Sequence, residues 1–91
     1  MPYGQVTVST TPTQIVAYNP KRTTLIVRNV SGSDCYISDS QQNITSKGFL
    51  LSVGEVISFV KKDGDQPEYP LYAQTTTGTA DIRWIEQYGE G

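Results

Sequence analysis

Histidine is absent from the 91 residues, cysteine occurs once, and the only methionine is Met1. Without histidine there is no Ser-His-Asp or Cys-His nucleophilic arrangement and no imidazole ligand for zinc. A lone cysteine cannot close an internal disulfide. Charge is sparse as well: Asp, Glu, Lys and Arg make up 18% of the chain, against roughly 25% in average soluble domains. A net charge of −2 leaves no basic surplus to displace phosphate counterions, so a nucleic-acid partner is not expected. No apolar run exceeds five residues, far short of the roughly 20 needed to span a bilayer. Met1 to Gln5 carries neither the basic nor the apolar segment of a secretory signal. The expected setting is a soluble chain made in the cytoplasm, with no membrane partner.

What is abundant is β-branched. Valine, isoleucine and threonine supply 26 residues, alanine and leucine only 7. Stiff χ1 angles suit such side chains to a pleated surface. No window of eleven residues keeps a helical apolar stripe, and eight glycines and five prolines punctuate short apolar runs. The pattern is all-β and the length that of a single domain, 1–91.

Along the chain, strands are expected at Gln5 to Ser9, stopped by Pro12, and at Gln14 to Tyr18, followed by a turn at Asn19-Pro20-Lys21-Arg22. Thr23 to Val30 is the strongest strand. Leu25 and Val27 share one face, Thr24, Ile26, Arg28 and Val30 the other. Apolar residues on both faces mark a central strand, or one whose outer face another copy covers. Ser31-Gly32-Ser33 reads as a hairpin connection returning through Asp34 to Ser38. Asp39 to Lys47 is polar and reads as irregular. Gly48 to Val53 and Glu55 to Val60 are split at Gly54. Lys61 to Pro70 is a charged loop. Leu71 to Gln74 and Thr79 to Glu86 close the domain as a hairpin, Ala80, Ile82 and Trp84 facing inward opposite Asp81, Arg83 and Ile85. Seven to eight short strands predict a small antiparallel β-sandwich, jelly-roll-like, or a partly closed barrel. Residues 1–4 and 88–91 read as arms that order on assembly.

The chemistry-bearing candidates are thin. Asp63-Gly64-Asp65 with Glu68 lacks the spacing of a calcium loop and reads as a solvated tip. Asp81 and Glu86, five residues apart on one strand, lie on opposite faces and cannot act as a glycosidase pair. Cys35 reads as a reduced, small apolar strand residue. The acceptor patterns Asn29-Val30-Ser31 and Asn43-Ile44-Thr45 read as accidents of a Ser/Thr-rich chain. Trp84 is expected in the core. Six tyrosines are spread too widely for a local platform, although tyrosine is what interfaces and sugar-binding faces enrich. No catalytic residue, metal site or cofactor is expected.

Thr11 to Val16, then Asn19-Pro20-Lys21-Arg22 leading into Leu25 to Asn29, Ser31-Gly32 before Cys35 to Ser38, Leu51 to Glu55, Leu71 to Ala73 and Gly78 to Arg83 together form a string of turns and strands. Over positions 5 to 86 it resembles small structural proteins of tailed bacteriophages. The resemblance implies a compact β-domain on the virion, a capsid decoration protein or a head-fibre or tail-associated module, often trimeric. Its implied partners are further copies of itself and the major capsid protein or another virion protein, and it carries no catalytic residue over. The charged stretch Lys61 to Tyr69 is longer than that pattern expects. Outward-facing Ile26, Val30, Val56 and Ile85 are the candidate contacts. A competing reading is a carbohydrate- or receptor-binding module using Tyr69, Tyr72 and the Lys61 to Pro70 loop.

Overall fold

The computed structural model describes residues 3–61 and 67–88. In chain order the elements are β1 (Tyr3–Val8), β2 (Thr13–Val16), β3 (Arg22–Gly32), β4 (Cys35–Ser38), α1 (Ile44–Lys47), β5 (Phe49–Leu51), β6 (Val56–Val60), β7 (Leu71–Thr75) and β8 (Ala80–Tyr88). The strands form two four-stranded sheets, A in the order β1-β8-β3-β6 and B in the order β2-β7-β4-β5. Every pairing is antiparallel. These two orders are those of an eight-stranded jelly roll, which settles the choice between sandwich and barrel.

The alternation read from the sequence decides which side of each sheet is inside. From sheet A, Val8, Leu25, Val27, Ala80 and Ile82 turn inward; from sheet B, Ile15, Val16, Cys35, Ile37, Leu51, Leu71 and Ala73 meet them. Val6, Ile57, Phe59 and Trp84 pack on the rim of this core, half-buried. Gly4 stands opposite Trp84 in the β1–β8 register. A Cβ at position 4 would lie 2.7 Å from the indole, so the glycine makes room for the one tryptophan.

Two expected hairpins are not hairpins. β3 and β4 lie in different sheets, as do β7 and β8. A hairpin would place both strands of each pair in one sheet, whereas here the chain crosses between sheets so that each inner face meets another. Gly32 makes the first crossing possible, with φ of 96° and a Cβ position only 2.3 Å from the Thr79 carbonyl oxygen. The stretch read as irregular contains α1, anchored by buried Ile44. Tyr3 and Gly4, read as part of an arm, belong to β1, and Tyr88 to β8. The remaining arm positions, 1–2 and 89–91, and the Asp63-Gly64-Asp65 tip lie outside the described residues.

Candidate interface surfaces

The outer face of sheet A brings together three of the outward-facing residues. The registers place Ile26 opposite Ile85 on one side and Ser58 on the other, and Ile85 opposite Tyr3. The result is a cross-sheet row Tyr3–Ile85–Ile26–Ser58. Beside it runs the row Gln5–Arg83–Arg28–Val56. Ile26 and Ile85 are half-buried, whereas Tyr3 is 78% and Val56 60% exposed. Arg83 pairs with Asp81 at 3.1 Å on the same face. Hydrogen bonds from Arg83 and Gln5 hold the Asp81 carboxyl below the usual carboxylate range. Val30 falls at the register shift between Asn29 and Ser31. It is therefore exposed but separate from the Ile26–Ile85 row.

The outer face of sheet B is uncharged. Gln14, Tyr72 and Ser38 form one row and Gln74, Tyr36 and Leu50 the next. The Gln14 side-chain amide donates to the Tyr72 hydroxyl at 3.2 Å, and the Gln74 amide donates to the Thr10 carbonyl at 2.6 Å. Tyr69 is not on this face. It sits in the segment before β7 with its ring 6.3 Å from that of Tyr18, tilted by 32°. The two tyrosines of the carbohydrate reading thus stand on different supports.

Sequence reading passed over a third region, the flank where β5 and β6 form the free sides of the two sheets. Phe49, Leu50, Val53 and Val56 are all exposed there. A largely apolar cavity of about 370 Å³ lies beside them, lined by Ile37, Ser38, Asp39, Phe49, Ile57, Phe59 and Leu71. The available signal was the density of large apolar residues on both sides of Gly54, in strands too short to bury them all.

Two buried polar groups were also missed. Arg22, read as a turn residue, is buried and approaches Glu86 at 2.8 Å, Nε to Oε2. Its guanidinium also donates to the Ala17 carbonyl. The Tyr88 hydroxyl donates to Glu86 Oε1 at 2.8 Å and accepts from the Asn19 amide at 3.2 Å. A cavity of about 230 Å³ opens beside this group. Asn29, the first of the acceptor asparagines, is fully buried. Its amide donates to the Ser33 and Leu51 carbonyls, both at 3.0 Å, a position no glycan can share. Among the described residues no three Cys, Asp or Glu side chains gather as metal ligands. Cys35 lies in β4 with its side chain in the core, and burial, with Asp34 nearby, pushes its thiol up to about 11.

Comparisons of the chain with protein-family models, curated proteins and solved structures give no match.

Proposed function

We propose that this chain is a non-enzymatic structural protein that acts by self-association and docking through its sheet surfaces. Its proposed setting is the virion of a tailed bacteriophage, as a capsid decoration or stabilising protein. The observation that carries the reading is the Ile26–Ile85 pair, two large aliphatic side chains at the middle of an outward sheet face, bounded by exposed Tyr3 and Val56. A small domain gains stability when such a face is covered by a neighbour. The jelly roll itself serves both capsid and lectin domains, so the fold is compatible with this role without selecting it.

Light scattering on the full chain, followed by co-sedimentation with empty capsids, tests the reading. Self-association at micromolar concentration is expected, weakened in an Ile26→Ser/Ile85→Ser double variant that still melts cooperatively. A chain that stays monomeric and ignores capsids overturns it.

A second reading has its own observation. The uncharged face of Tyr36, Tyr72, Gln14 and Gln74 offers aromatic surface and neutral hydrogen-bonding groups, which suit a sugar or receptor ligand. Binding on a glycan array, lost in Tyr72→Ala, favours this alternative; loss in Tyr69→Ala would move the site to the Tyr18–Tyr69 end.

A further inference from the structure

We infer that the pocket between the end of β2 and the inner face of β8 binds a single neutral sugar ring. Trp84 and Tyr18 take the face of the ring, Glu86 and Asn19 its hydroxyls. The inference rests on the sugar-binding reading above and moves its site from the outer face of sheet B to one end of the sandwich. Trp84 and Glu86 continue the inward row of Ala80 and Ile82 along β8. The β2–β7 register shifts between Gln14 and Val16, and a bulge redirects the strand that carries it. Beyond the end of β2 a pocket of about 230 Å³ opens against Trp84. That is below the roughly 300–1,000 Å³ of drug-sized sites, room for one ring with the rest of a chain outside the mouth.

The walls are held from several sides. The Asn19 N–H donates to the Glu68 carbonyl at 2.8 Å, and its side-chain amide donates to the Tyr88 hydroxyl at 3.2 Å. The Ala17 carbonyl accepts from the Arg22 guanidinium. Tyr18 is 57% exposed, its ring beside that of Tyr69. With no Cβ at Gly4, the indole of Trp84 lies close against β1. A site whose parts are fixed beforehand loses less freedom when a ligand arrives.

The accessible lining is more polar than apolar, the opposite of the cavity beside Phe49. Arg22 Nε and Glu86 Oε2 are enclosed without an aligned hydrogen-bond partner, a departure that proteins tolerate mainly at functional sites. The two charges cancel, and this selects the ligand. A carboxylate would have to take Arg22 from Glu86, and an ammonium would have to take Glu86 from Arg22. A neutral polyol disturbs neither. The Glu86 carboxylate has lone pairs beyond the one Tyr88 uses, and the Asn19 amide has a second N–H. The first can accept from hydroxyls and the second can donate to them. The aromatic rings take the apolar C–H face of the sugar.

Trp84 is the one tryptophan of the chain, so its fluorescence reports on this pocket directly. Titrating the full chain with glucose, galactose, mannose and N-acetylglucosamine is expected to move the emission to shorter wavelength for at least one sugar. The expected affinity is on the order of millimolar. Tyr18→Ala, at an exposed position, should weaken binding about tenfold without changing the melting of the domain. Tyr72→Ala, on the outer face of sheet B, should leave it unchanged. Glucuronate and glucosamine should bind more weakly than the neutral sugars; a preference for either overturns the neutral ligand. Sugar binding, to these or to a glycan on an array, that leaves Trp84 silent overturns the pocket and leaves the sugar-binding reading standing. So does binding lost in Tyr72→Ala and kept in Tyr18→Ala. A chain that binds none of these sugars and no arrayed glycan overturns both.

Discussion

Arg22 and Glu86 meet at 2.8 Å inside the sandwich, 64 positions apart in sequence, and tie the start of β3 to the end of β8. Their Nε and Oε2 atoms are in charge contact without an aligned hydrogen bond, so the pair is held in place by its neighbours: the Ala17 carbonyl on one side, Tyr88 on the other. Glu86→Gln keeps the volume and removes the charge, stranding a buried guanidinium. The expected loss is about 3 kcal/mol, read as a lower urea midpoint at unchanged slope. Replacing both residues by apolar ones of similar size should cost less than the single change.

Asn29 is expected to be as sensitive. Asn29→Ala leaves the Ser33 and Leu51 carbonyls without their donor, at a cost of about 2–3 kcal/mol. Asn29→Asp should be worse, because it sets a carboxylate against two carbonyl oxygens. Chemical denaturation of the two variants side by side tests the order.

The glycines at crossings differ in what surrounds them. Gly32→Ala must accept both a positive φ and a clash with the Thr79 backbone, while Gly54, with φ of 89°, has nothing within 4 Å of its Cβ position. Gly54→Ala should therefore cost only the backbone strain, about 1–2 kcal/mol. Gly32→Ala should cost clearly more, or prevent folding, in thermal melts of the two.

Alkaline pH should destabilise the protein in part through Cys35. Its folded-state pKa is raised from 9.0 to about 11, chiefly by burial. The unfolded chain therefore releases this proton first. The stabilising contribution is complete below pH 9 and is lost as pH rises toward 11. Tyr88 adds in the same direction, since its hydrogen bond to Glu86 raises its pKa above 10. Cys35→Ala should flatten the decline of stability between pH 9 and 11, measured by denaturant unfolding at each pH. A slope unchanged from the parent would contradict the assignment. Thiol reagents should react with Cys35 only on unfolding.

Much of this fold was legible because its rule is local. Leu25 and Val27 against Ile26 and Arg28, or Ala80 and Ile82 against Asp81 and Arg83, declare their faces by alternation alone, and the structure keeps every one of those assignments. Cys35 was expected in the core for the same reason and lies there, whereas Trp84, expected there too, packs half-buried at its rim. Among the candidate contacts, Ile26 and Ile85 were expected on an outer face and stand directly opposite each other. Val56 shares that face, while Val30 is set apart by a bulge and Tyr69 and Tyr72 by their different supports.

Alternation determined most of the strands, their inner and outer faces, and the β class, because side-chain direction along a regular strand follows residue parity; β2 departs from it, Ile15 and Val16 both turning inward at a bulge. Pairing is different: it depends on which edges meet after the chain has crossed between sheets. Only the tertiary structure decided that β3 and β4 part company at Gly32, that a turn arginine is buried against Glu86, and that the apolar residues around Gly54 line one open flank. Each of these joins residues distant in sequence through contacts that no local pattern encodes.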